Sequence, residues 1–225
     1  HEACRIALKY MTPVFVLTDA FLANGSEPWM IPSLDDIPPI DSSFAEMRDG
    51  QYMPYERDGE TLAREWAIPG MAGLEHRIGG LEREHISGNV SYDPDNHDLM
   101  VRLRAEKVAG MTREIPPTEV YGDATGDLLV LGWGSTFGAI RTSVEALRSE
   151  GKSVSHAHLK WLNPLPADLG ENLLKFQKVL IPEVNSGQLI KLIRSEFLID
   201  AEGLNLVRGK PFRKSQIISK VKEIL

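Results

Sequence analysis

Gly132-Trp133-Gly134-Ser135-Thr136 has the physical parts of an anion site. Its glycines permit close approach of a ligand to the backbone, and a helix starting just after them presents free N–H groups and the positive end of its dipole. The full dinucleotide fingerprint is absent. Counted from Gly132, the third glycine of G-x-G-x-x-G falls on Phe137, and Gly138 comes one place late. The same residues suit an ordinary tight turn capped by Ser or Thr. A second segment, Glu183-Val184-Asn185-Ser186-Gly187-Gln188, follows a strand pattern and opens a helix, where open sheets present side chains to ligands. Glu183 could equally hold the turn. Gly134, Ser135, Thr136, Glu183, Asn185, Gly187 and Gln188 are therefore the candidate cofactor-binding residues at one cleft edge.

The histidines offer less. His156 and His158 alternate on a strand, so their side chains share a face, but no cysteine or carboxylate stands at ligand spacing, and exposed strand histidines fit as well. His76, His85 and His97 lie in turn-rich stretches without a Gly-x-Ser-x-Gly nucleophile motif, which suits surface or interface roles. Arg208, Lys210, Arg213 and Lys214 cluster near a helix start and could hold a phosphate or form a solvated basic face.

The elements that must position these residues follow from periodicity. Glu2 to Tyr10 carries apolar residues at helical spacing, and Pro13 to Asp19 is an apolar run of strand length, suited to a strand covered on both faces. A helix and a strand cannot make a core, so they read as the end of a domain that starts before His1. The opening His-Glu-Ala-Cys-Arg, with neither Met nor a signal-peptide pattern, agrees with a piece of a longer protein.

Glu27 to Pro69 holds six of the 14 prolines and no sustained period, an extended connector too rich in Trp29, Met30, Ile31, Phe44 and Trp66 to hang free. It is expected to lie against a surface of its own second domain, of a missing domain or of another subunit. Turns follow to Asp95 or Asn96, which caps a helix over His97 to Val108. From there strands and helices alternate: Asp127–Trp133 strand, Phe137–Ser149 helix, Ser153–Leu159 strand, Ala167–Lys175 helix, Lys178–Ile181 strand, Gly187–Phe197 helix, Leu204–Val207 strand, Arg213–Leu225 helix. Such alternation predicts an α/β fold with a mostly parallel open sheet and helices on both faces.

Composition excludes several classes. The 225 residues allow one large domain or a small domain with an extension. Hydrophobic residues at 42%, charged residues at 25% and a mean hydropathy of -0.19 describe a soluble globular chain with no membrane span. A net charge of -7 argues against nucleic acid as partner. The single cysteine, Cys4, can form no internal disulfide, no iron–sulfur shell and no cysteine-based zinc site.

Several segments resemble a known family. Lys9-Tyr-Met-Thr-Pro-Val-Phe-Val-Leu-Thr-Asp19 and Leu22-Ala-Asn-Gly-Ser-Glu-Pro-Trp29 resemble the end of the thiamine-pyrimidine domain in alpha subunits of 2-oxoacid:ferredoxin oxidoreductases, especially the 2-oxoglutarate type. Gly73-Leu-Glu-His76, Gly80-Leu-Glu-Arg83, Ser91-Tyr-Asp-Pro-Asp-Asn-His97 and Arg104-Ala-Glu-Lys107 are similar to the run that follows the linker. Asp127 to Leu198, with His158-Leu-Lys-Trp-Leu-Asn-Pro-Leu-Pro166 and Pro182-Glu-Val-Asn-Ser-Gly-Gln-Leu189, resembles the transketolase C-terminal-like domain.

The resemblance implies three parts: residues 1–26 as the end of an incomplete thiamine-pyrimidine domain, 27–120 as connector and turn-rich segment, and 121–225 as the transketolase C-terminal-like domain. It implies a cytoplasmic enzyme of anaerobic metabolism that decarboxylates a 2-oxoacid, passes electrons through iron–sulfur clusters to ferredoxin and forms an acyl-CoA. Thiamine diphosphate, Mg and the clusters belong to the parent complex, with none expected on this chain. The activating glutamate lies upstream in the family, and the Gly-Asp-Gly metal-diphosphate motif belongs to the beta subunit; Gly122-Asp-Ala-Thr-Gly-Asp127 breaks it at Ala124. This chain is thus expected to carry no catalytic residue and no metal, and to serve assembly with a beta subunit in a homo- or hetero-oligomer. The rival readings are a stand-alone nucleotide- or CoA-binding module and a purely structural oligomerisation domain.

Overall fold

The computed structural model describes residues 1–40, 44–48 and 50–225. The chain forms two compact units, His1–Val16 with Pro28–Thr112, and Leu17–Glu27 with Arg113–Leu225. In chain order the elements are α1 (Glu2–Tyr10), α2 (Ala20–Asn24), α3 (Pro94–Gly110), β1 (Val120–Tyr121), β2 (Gly126–Trp133) and α4 (Phe137–Ser149). Then come β3 (Val154–Leu159), α5 (Leu169–Leu174), β4 (Phe176–Glu183), α6 (Gln188–Phe197), β5 (Glu202–Asn205) and α7 (Lys214–Ile224).

The first unit has little regular structure beyond α1 and α3. Helix α1 buries Ile6 and Tyr10, and its Leu8 carbonyl accepts the Trp66 indole N–H at 2.8 Å. Isolated bridges, Phe44 with Trp66, Tyr55 with Ile86 and Arg83 with Val90, tie the turns together. Helix α3 starts three residues earlier than its apolar pattern predicts. Pro94 supplies a preset φ at the first helical position, and Asp93 caps by accepting Asp95 N at 2.9 Å. Of the apolar residues Leu99, Met100, Leu103 and Val108 on this helix only Met100 is buried. In the connector, Trp29, Met30 and Ile31 stand exposed.

The expected strand over Pro13–Asp19 does not form among the described residues. Phe15, Val16 and Leu17 are 83%, 75% and 65% exposed. An apolar run makes a strand covered on both faces only when neighbours offer hydrogen bonds and side chains, and no strand pairs with it.

The second unit holds a five-stranded sheet in the order β1-β3-β2-β4-β5, parallel except for β1, which runs antiparallel to β3. Alternation sorts the side chains of β2: Leu128 and Val130 face α4 and α7, while Leu129 and Leu131 face α5 and α6. Because both faces are covered, the strands are nearly continuous in apolar residues. The two-residue β1 was not legible from the sequence, being too short to show a period. The chain leaves β2 for α4 on one face of the sheet and leaves the neighbouring β4 for α6 on the other. A crevice therefore opens beyond Trp133 and Glu183, at the point where the strand order reverses.

Candidate functional site

At this crevice the protein fills its own ligand positions. Glu183 ends β4 fully buried, and its Oε1 accepts Trp133 Nε1 at 3.3 Å, Asn185 Nδ2 at 3.1 Å and the Leu189 amide at 2.8 Å, while Oε2 accepts the Ile190 amide at 3.1 Å. Asn185 Oδ1 accepts the amides of Gly187 at 2.8 Å and Gln188 at 3.0 Å. The amides that open α6, the donors that would greet an anion, are thus taken by two side chains of the preceding turn. Gly187 adopts φ +86°, a left-handed conformation that favours glycine, and a Cβ there would lie 3.1 Å from Ile190 Cγ2.

The first candidate turn is also engaged. Thr136 Oγ1 donates to the Trp133 carbonyl at 2.7 Å and accepts the Trp133 amide at 3.2 Å. Ser135 donates its hydroxyl to Asp19, whose other oxygen caps α2 by accepting Leu22 N at 3.0 Å. The Ser135 hydroxyl is the main reason that the Asp19 carboxyl sits below its usual range. Gly134, Ser135 and Thr136 hold the start of α4 in place, and Asp19 pins α2 to it. Sequence reasoning could not find Asp19 or Trp133 as partners, since 116 and 50 residues separate them from Ser135 and Glu183.

Beside the crevice lies a cluster that corrects the expectation of exposed strand histidines. His156 is 1% exposed, and neither of its ring nitrogens has a hydrogen-bond partner; His158 Nδ1 and Arg141 Nε are likewise buried and unpartnered. The two imidazoles are 5.6 Å apart, edge to face, with the Phe137 ring 5.6 Å from His156 and 5.1 Å from His158. Arg141 stacks 3.7 Å from the Tyr121 ring centroid. Gly132 makes room for the pair: a Cβ there would lie 3.0 Å from His158 Nδ1 and 2.4 Å from Ile140 Cδ1. Burial, reinforced by His158 and Arg141, lowers His156 to about 3. Burial also lowers His158 to about 4, opposed by a hydrogen bond to the Gly134 backbone and helped by Lys160 and Arg141. Both rings are neutral at pH 7.

The remaining candidates do not converge. His76 Nδ1 donates to the Leu74 carbonyl at 2.9 Å, His85 Nδ1 accepts Arg57 Nη1 at 3.3 Å, and His97 pairs with Glu82. Arg213 opens α7, where its amide donates to Gln216 Oε1 at 2.9 Å, and Arg208, Lys210 and Lys214 are exposed. Asp123 pairs with Arg148 at 3.0 Å and Asp127 accepts Gln177 Nε2 at 2.9 Å, so the Gly122–Asp127 turn is held by its neighbours. Among the described residues no three His, Cys, Asp or Glu side chains gather as a metal set, and no helix is long and apolar enough to cross a membrane.

Fold and crevice define a mostly parallel open α/β domain whose strand-end site is closed by its own side chains, joined in sequence to an irregular, Pro-rich unit. No family model matches the chain. It is 50% identical to the 2-oxoglutarate oxidoreductase subunit KorA of Mycobacterium tuberculosis over 96% of its own length and 33% of that protein. It is 29% identical to the 2-oxoglutarate synthase subunit KorA of Methanocaldococcus jannaschii over 83% of its length and 49% of the relative. Among solved structures, the 2-oxoglutarate:ferredoxin oxidoreductase of Magnetococcus marinus superposes with a TM-score of 0.87 at 32% identity, covering 98% of this chain and 38% of that one. Over nearly all of its length the chain is thus similar, in sequence and in fold, to one part of 2-oxoglutarate oxidoreductase subunits. It spans a third to a half of the length of these relatives.

Proposed function

We propose that this chain is the C-terminal portion of the alpha subunit of a thiamine-diphosphate-dependent 2-oxoglutarate:ferredoxin oxidoreductase, and that its work there is assembly. The observation that carries the reading is the match to such subunits over nearly all of its length. In the complex a 2-oxoacid is oxidatively decarboxylated to an acyl-CoA, with the electrons passing through iron–sulfur clusters to ferredoxin.

The residues present do not fit those cofactors. One thiolate, on the exposed Cys4, cannot hold a cluster. The carboxylate best placed for a ligand, Glu183, is saturated by four internal donors. Thiamine diphosphate, Mg and the clusters accordingly sit on other parts of the complex, and no step of the reaction is assigned to this chain. In this reading Gly134, Ser135, Thr136, Glu183, Asn185, Gly187 and Gln188 shape the crevice edge, and the exposed Trp29-Met30-Ile31 segment clamps a beta subunit.

The test is a comparison of electron transfer. A full-length alpha subunit containing this sequence, combined with its beta subunit, should reduce ferredoxin or a viologen dye with 2-oxoglutarate and CoA, and this chain alone should not. Turnover by the chain alone, or a complex inert toward every 2-oxoacid, overturns the proposal.

A further inference from the structure

Arg57, Arg64 and Lys107 bring three positive charges to the first unit, and among the described residues none of the three forms an ion pair with a carboxylate. The Tyr55 ring gathers the guanidiniums, with Arg64 4.2 Å and Arg57 5.8 Å from its centroid. Arg57 reaches α3, where its Nη2 lies 3.6 Å from Met100 Sδ. Lys107 stands seven residues further along α3, on the same face as Met100. Arg104, between them on that helix, is committed to Glu82 at 3.2 Å. The charges acting on Lys107 are those of Arg57 and Arg64, and those acting on Arg57 are Arg64, Tyr55 and Arg104, with no Asp or Glu among them. All three side chains are half-buried. Burial first, and the two arginines second, lower Lys107 to about 8, the response of an ammonium that lacks its counter-ion.

Half-buried cations are normally paired, because the desolvation of each is otherwise unrecovered. Arg57 and Arg64 also bond to the carbonyls of Tyr55 at 3.1 Å and Pro54 at 3.3 Å, which fixes their positions without neutralising them. Two guanidinium forks at a single aromatic ring, with the Lys107 ammonium near enough to feel both charges, match the several acceptor oxygens of one compact oxyanion. Arg57 also lines, with Arg48, a cleft of about 330 Å³ that carries Glu46, Glu56, Asp58 and Glu65, a set of carboxylates that disfavours an extended acidic chain there.

We propose that Arg57, Arg64 and Lys107 form a binding site for a phosphate or diphosphate group, either free or carried by a nucleotide-like ligand. The site lies within one unit, is independent of the crevice, and does not rest on the enzymatic assignment above.

The test is calorimetric titration of the chain at low salt with inorganic pyrophosphate, then with ADP and with CoA to separate a free group from a carried one. Saturable pyrophosphate binding is expected. Lys107→Met and Arg64→Gln should each weaken it tenfold or more, about 1.4 kcal/mol. The unliganded Lys107→Met chain should melt no lower than the parent, since it loses only repulsion. Absence of saturable binding, equal affinity in both variants, or stabilisation by polyglutamate in place of pyrophosphate would overturn the proposal, the last in favour of an acidic protein partner.

Discussion

Glu183→Ala is expected to destabilise the α/β unit by about 3–5 kcal/mol, a loss large enough to unfold many domains of this size. The carboxylate caps two amides of α6, and loss of such a cap costs about 0.5–2 kcal/mol. It is also the acceptor for Trp133 Nε1 and Asn185 Nδ2, and leaving buried donors unpaired costs about 1–3 kcal/mol for each that water cannot reach. Glu183→Gln keeps one acceptor but aims an N–H₂ group at an amide, so its cost should be smaller, about 1–3 kcal/mol. Urea unfolding followed by circular dichroism measures both. A loss under 1 kcal/mol for Glu183→Ala would show that the buried carboxylate is free for another use, and the ligand reading of the crevice would return.

Acidification from pH 7 to pH 5 is expected to remove about 2 kcal/mol of stability for each of His156 and His158. In the unfolded chain a histidine titrates near 6.5, whereas in the fold these two titrate at about 3 and about 4. Between those values the unfolded state binds more protons than the native state, so stability rises with pH there; it is fully present above 6.5 and is lost as pH falls towards 4. The carboxyls that the fold holds low, Asp19, Asp58, Glu82, Asp123 and Glu150, act in the same direction but below the ordinary carboxylate range. The window from 6.5 to about 5 therefore belongs to the histidines. His156→Phe should remove half of the slope and make the chain more stable than the parent at pH 5. Denaturant midpoints at pH 7, 6 and 5 read the effect directly. A flat profile would mean that water or a partner reaches both rings.

The second unit was largely legible in the sequence, and the reason is visible in β2. Leu128 to Leu131 are apolar in succession, which a strand buried on both faces requires, and Gly132, Gly134 and Gly151 punctuate the helix between β2 and β3. Local pattern and tertiary environment agree there. Over Pro13–Asp19 they do not: the pattern is that of a covered strand, and no described strand pairs with it. What the crevice residues do was not legible either. The sequence places Glu183 and Ser135 at helix starts, but only the fold shows that Trp133 and Asp19 meet them. The unpaired charge of Arg57, Arg64 and Lys107 was equally hidden, because it depends on turns that bring residue 57 against α3, and turns leave no period to read.

The account stands most directly on one binding measurement, a pull-down of the beta-type subunit by this chain, with the full-length alpha subunit as control. It predicts that both retain the beta subunit and that full-length protein lacking this portion retains none. A full-length subunit that keeps its partner after the portion is deleted, while the isolated chain captures nothing, would contradict it.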